Sequence, residues 1–165
     1  FHVRYILTSP YRRCIATAEY IRAATGAPAE LYPALHEHHG EAFAPGPWPL
    51  PAKSRLAQWY PEYALPDDMP ETHWAAAPQN SEQLWRRISG VVEAILRRFG
   101  SQALATVALV THGGPLLTFV LAFCQWENRL GVEISVDNGS ITILELDPDG
   151  RRRLVTLNAR PPLWY

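Results

Sequence analysis

The sequence predicts an α/β domain of three layers: a mostly parallel sheet with helices on both faces, and an antiparallel hairpin at its C-terminal end. Three observations predict it. The run "ATVALVT", residues 105 to 111, is apolar on both faces, as a parallel strand covered by helices must be. Helical patterns alternate with such short β-rich runs, which is the signature of strand–helix–strand units. The chain then closes on "GSITILEL", the turn "DPDG" and "RRRLVTLN", two strand-like runs that read as a hairpin at a sheet edge.

The elements follow in order. "VRYILTSP" is β-rich and stops at Ser9-Pro10, where Ser caps a helix and Pro suits its first turn. Tyr11, Cys14, Ala18 and Ile21 recur at helical spacing until Gly26 and Pro28 end the pattern. "AELYPALHEHHG" predicts a brief strand running into a loop. Residues 44–79 are rich in Pro, Trp and Tyr, and repeated prolines forbid long regular elements. This segment is expected as an excursion outside the main sheet, with a helical turn or two around "KSRLAQWY" and a lid or pocket wall carrying Trp48, Trp59 and Trp74. Asn80 with Gln83 has the form of a capping box, and Leu84, Ile88, Val91 and Ile95 make one apolar stripe before Gly100. "GPLLTFVLAF" predicts an apolar helix starting at Pro115.

Length and composition bound the rest. A chain of 165 residues has the size of one domain, so 1–165 is read as a single domain. With 47% hydrophobic and 19% charged residues and a net charge of -1, neither disorder nor a polyanion-binding surface is suggested, so no nucleic-acid partner is expected. No apolar run of about 18 residues occurs and the N-terminus lacks a signal-peptide pattern, which predicts no membrane partner and a cytoplasmic location. The two cysteines, Cys14 and Cys124, form no disulfide framework and are expected in the core. Residue 1 is Phe and opens inside a strand-like run, so the natural protein is expected to carry further residues.

In open parallel sheets the ligand crevice lies beyond the carboxyl ends of the strands, and two such ends are visible. After the first, Arg12 and Arg13 fall in the first turn of a helix, where free N–H groups, a positive dipole end and a guanidinium fork suit phosphate. A solvated helix face is the plainer reading of two adjacent arginines. At the second end, His112 projects into the crevice, and Gly113 and Gly114 let the backbone turn sharply and approach a ligand. A structural, hydrogen-bonded histidine is as good a reading. The third element is Glu37 among His36, His38 and His39. A carboxyl beside a phosphate can be kept protonated by that anion and serve as general acid. The histidines match no standard metal spacing, so no metal or other cofactor is expected, and a solvated, pH-sensitive loop is the alternative.

Together these segments resemble the histidine phosphatase superfamily, the phosphoglycerate-mutase-like group. "TSPYRRCIATAEYI" resembles that family's Ser-Pro-x-x-Arg-x-x-x-Thr-Ala segment, "LHEHHG" the loop bearing the acid, "VTHGG" the second histidine motif, and "DNGSITILELDPDGRRRLVTLN" the closing hairpin. The resemblance implies that Arg13, His112 and Gly113 bind phosphate, that Glu37 and His112 are catalytic, and that a phosphohistidine forms on a different histidine. That nucleophile belongs to an Arg-His-Gly motif, which does not occur in the 165 residues. Either the strand and helix carrying it precede Phe1, or "FHVR" is the tail of that strand, with Arg4 the motif's arginine and the sequence interrupted before Tyr5. The implied function is a metal-independent phosphatase of a small phosphorylated metabolite. A phosphoglycerate-type mutase and a non-catalytic phospholigand-binding domain are the alternatives, a metal-dependent hydrolase on His36, His38 and His39 is more remote, and a homodimer stays open.

Overall fold

A computed structural model of the chain describes residues 2–38, 51–72, 79–102, 105–126 and 134–160. Strand β1 (Tyr5–Thr8) leads into helix α1 (Arg12–Thr25), which ends at Gly26 with φ of 66°, a left-handed position that glycine takes without strain. Strand β2 (Ala29–Leu31) runs into a 3-10 turn at Pro33–Leu35. Helix α2 (Lys53–Trp59), strand β3 (Tyr63–Ala64), helix α3 (Ser81–Phe99), strand β4 (Val107–Val110) and helix α4 (Gly113–Phe123) follow. Strands β5 (Ile141–Leu146) and β6 (Arg152–Ala159) close the order.

Strands β3, β2, β1 and β4 lie in that order, all pairs parallel. Successive side chains of a strand point to opposite faces, and the two cores follow that rule. Ile6 packs with Ile15 and Ala18 of α1 and with Leu56 of α2. Leu7, its neighbour, packs instead with Ile88 and Val91 of α3 and Phe119 and Phe123 of α4. Along β4, Ala108 and Val110 face the first cluster, Val107 and Leu109 the second. The three layers are therefore written in the alternation of two strands. The capping box of α3 is formed as its sequence predicts: Gln83 N–H donates to Asn80 Oδ1 and Asn80 N–H to Gln83 Oε1, each at 2.9 Å.

Four expectations need correction. The Pro/Trp-rich segment is not wholly outside the sheet, because β3 pairs with β2, and Leu56, Tyr63 and Met69 are buried in the first core. Prolines limit β3 to two residues without preventing it from pairing, and the Tyr63 hydroxyl donates to Glu19 of α1. Trp59 is exposed, while Trp48 and Trp74 lie outside the described residues. Helix α1 starts at Arg12, with Tyr11 at its N-cap and no side-chain cap, because the buried Ser9 hydroxyl is engaged elsewhere. Helix α4 starts at Gly113, so the two glycines form its first turn and Pro115 stands third. The hairpin is a separate two-stranded sheet among the described residues. It docks through side chains: Arg152 donates to the Phe123 carbonyl at 3.1 Å, and Leu144 joins the second core. Cys14 is buried and Cys124 partly so.

Candidate active site

Parallel pairing determines what meets at the carboxyl ends. The register Thr8↔Val110 sets Ser9 beside Thr111 and His112, and Thr8↔Leu31 sets the 3-10 turn on the other side. Arg13, in the first turn of α1, leans over this edge. Three sequence-predicted residues are thereby brought together. Arg13 Nη2 lies 2.8 Å from His112 Nδ1 and 3.2 Å from Glu37 Oε2, and Arg13 Nε lies 3.2 Å from the same Nδ1.

Guanidinium nitrogens only donate, so His112 Nδ1 accepts and the ring proton sits on Nε2. Nε2 then donates to Ser9 Oγ at 2.9 Å. Glu37 Oε2 also lies 3.4 Å from Nδ1, a contact that would favour a doubly protonated ring. The two closer guanidinium donors outweigh it. His112 is buried, whereas the Arg13 side chain is 58% exposed, so the ring is fixed and the cation is accessible to an anion. Tyr11 meets the His112 ring edge-on at 5.1 Å between centroids and lies beneath the Arg13 guanidinium, and burial pushes its hydroxyl's pKa up. Cys14 Sγ lies 3.5 Å from Nε2, and burial pushes its thiol up to about 11.

The loop carrying Glu37 is held by side chains at four consecutive carbonyls. Arg87 Nη1 donates to Ala34 O at 2.6 Å and to His36 O at 3.0 Å. Thr111 Oγ1 donates to Leu35 O at 2.9 Å. His36 Nδ1 donates to Glu37 O at 2.7 Å, since a carbonyl can only accept. The carboxylate itself accepts from His38 N–H at 2.9 Å through Oε1. His36 is buried, which corrects the solvated-loop reading for that histidine. His39 lies outside the described residues. Among the described residues no three His, Cys, Asp or Glu side chains are grouped to hold a metal.

The glycines act through the side chain they lack. Neither Gly113 nor Gly114 has positive φ. A Cβ on Gly114 would lie 3.3 Å from His38 Cβ and 3.9 Å from Glu37 Oε1, so its absence admits the Glu37 loop against α4. Gly113 opens α4 and contributes one of the N–H groups that have no partner inside a helix. Arg4 lies at the opposite end of β1, its N–H bonded to Thr106 O, away from Arg13 and His112. Sequence reasoning missed Arg87 and the Ser9–His112 contact. "LWRR" does not reveal which arginine turns inward. Ser9 reads as a cap because its partner lies far along the chain.

The fold and this edge of convergent Arg, His and Glu define a class. Residues 1–160 match the histidine phosphatase superfamily (branch 1), and the chain belongs to that superfamily. Among curated proteins it is 29% identical over 77 residues to the broad-specificity phosphatase YOR283W of Saccharomyces cerevisiae, 47% of this chain and 33% of that protein. The chain thus spans a third of that relative's length. Among solved structures, YhfR of Bacillus stearothermophilus is 26% identical with a TM-score of 0.57, covering 93% of this chain and 72% of that one. The ecdysone phosphate phosphatase from Bombix mori, solved with tungstate, has a TM-score of 0.69 at 14% identity, covering 99% and 66%. Mycobacterial hydrolase 1 has a TM-score of 0.61 at 24% identity, covering 97% and 78%. The last two show likeness of fold.

Proposed function

We propose that the protein is a metal-independent phosphatase acting on a small phosphomonoester through a phosphohistidine. The observation that carries this reading is the convergence of Arg13, Glu37 and His112, from three separate stretches of chain, within 3.4 Å of one another at one edge of the sheet. The naming of a curated relative as a broad-specificity phosphatase supports it.

In this reading a phosphate oxygen replaces His112 Nδ1 as acceptor for the Arg13 fork. With Nε2–H still held by Ser9, the Nδ1 that Arg13 has released takes up a proton and donates it to another phosphate oxygen, and the Gly113 N–H at the start of α4 adds a backbone donor for the same charge. A histidine of the family's Arg-His-Gly motif attacks phosphorus as the bond to the leaving oxygen breaks, and Glu37 gives its proton to that oxygen. Water then attacks the phosphohistidine while the Glu37 carboxylate takes its proton, so acid and base alternate on one group.

The test uses the full-length protein its gene encodes. Hydrolysis of a phosphomonoester panel, unchanged by a chelator, is expected. Arg13→Ala and His112→Ala are each expected to lower kcat/KM about ten- to a hundredfold, the worth of a charge-assisted hydrogen bond of about 1.5–3 kcal/mol. Activity surviving both substitutions together would overturn the reading. A demand for a bisphosphorylated activator would indicate a mutase instead.

A further inference from the structure

Arg87 belongs to α3, outside the trio that meets at the sheet edge, yet its guanidinium reaches the acid loop. It bonds the carbonyls of Ala34 and His36, the two held points flanking Leu35, while Nε donates to Gln79 Oε1 at 3.0 Å. The turn it grips ends at Leu35, and the second carbonyl it holds, that of His36, lies one residue before Glu37, so the path of the backbone into Glu37 is anchored on a helix of the second core. A cation is a costly way to hold two neutral carbonyls. Burial pushes this guanidinium down to about 10, and the opposing influences are the Glu37 carboxylate and Tyr11. Its Nη2 is buried with no hydrogen-bond partner among the described residues. A buried cation that grips the backbone leading into Glu37, and feels that carboxylate's charge, calls for a role at the Glu37 loop.

We infer that Arg87 is a positioning residue for proton donation: it holds the backbone on the N-terminal side of Glu37 so that the carboxyl meets the leaving oxygen. The inference rests on the reading of Glu37 as the general acid. The contacts of Arg87 are to Gln79 and to the backbone of the Glu37 loop, so its assigned role is on the loop and not on phosphate or leaving group. A fault in positioning therefore falls on the proton-transfer step and leaves the phosphate grip of Arg13 and His112 in place. General-acid help contributes roughly a hundred- to ten-thousandfold where the leaving group is a poor one. It contributes little where the leaving group is already a stable anion.

The experiment compares kcat/KM for an alkyl phosphate, glycerol phosphate, with that for p-nitrophenyl phosphate, whose leaving group departs without a proton, using the full-length protein. Arg87→Met keeps the apolar stem and removes the fork. It is expected to lower the alkyl-to-aryl ratio at least tenfold, and Arg87→Lys, with the charge but a single point donor, is expected to fall in between. If Arg87→Met does not fold, the lysine variant alone carries the test, and its ratio must still fall. An unchanged ratio in the folded variants, whether both activities drop together or neither drops, would overturn the inference. Glu37→Gln separates the two levels of the argument. It must itself lower the ratio, and if it does not, the reading of Glu37 as acid fails and the role of Arg87 with it.

Discussion

Ser9 and His112, 103 residues apart in the chain, meet with 2.9 Å between the serine hydroxyl and Nε2 of the ring. Because Arg13 occupies Nδ1 with donors, this contact selects the Nε2–H tautomer. Long-range 15N–1H spectra at neutral pH are expected to show that tautomer for His112. Ser9→Ala leaves a buried N–H without its acceptor, at a cost of about 1–3 kcal/mol. Weaker phosphate binding, by about tenfold, and a mixed tautomer signal should accompany it. A native ring protonated at Nδ1 alone would contradict the assignment.

Gly114 separates stability from activity. Alanine there gains up to about 1 kcal/mol of helix propensity, less in a first turn. Its Cβ would also press His38 at 3.3 Å, an overpacking strain of similar size. Gly114→Ala is therefore expected to shift Tm by no more than a few degrees while lowering turnover of alkyl phosphates, since the displaced loop carries Glu37. Thermal denaturation and steady-state kinetics on one preparation check both halves.

Cys14 is expected to resist alkylation in the native protein at pH 8, because the thiolate is the reactive form and burial holds the proton on the thiol up to about pH 11. The same shift has a stability consequence. The folded thiol binds its proton more tightly than the unfolded one, so its contribution is complete below pH 9 and is lost as pH rises through 11. Buried tyrosines add to alkaline loss, and the difference between the natural protein and Cys14→Ala isolates the thiol. The gap in Tm between pH 7.5 and pH 10.5 should be smaller in the variant.

Asn80 provides a test confined to the fold. Asn80→Ala removes the side-chain half of the capping box of α3, worth about 1 kcal/mol. The expected result is a Tm lower by about 2–4 °C in a domain of this size. An unchanged Tm would show that α3 is held by packing alone.

What was legible in the sequence is what is local. The capping box lies within four residues, and the Leu84, Ile88, Val91 stripe repeats at helical spacing, so α3 could be placed from its own letters. Arg13, Glu37 and His112 could be nominated because each stands at the exit of a short strand or turn. The misplacements have a common cause in tertiary partners. Ser9 has the chemistry of a cap, and only the β1–β4 register shows that His112 engages it. Tyr63 stands among prolines, and only packing under α1 draws it into the sheet. Arg86 and Arg87 are equivalent letters until the helix is rotated against the Glu37 loop.

The parallel pairing of β1 with β4 joins Tyr5 to Val107, roughly a hundred residues later, and such closures come late because their entropy cost precedes any reward. Ser9, Arg13 and the Glu37 loop are synthesised and can adopt their local shapes long before His112 arrives. Until that strand docks there is no ring for Arg13 to lean on and no anchor for the Leu35 carbonyl. On the proposed reading, recognition of a phosphate therefore certifies a finished chain, and a partly folded molecule has no competence to react prematurely with the anions around it.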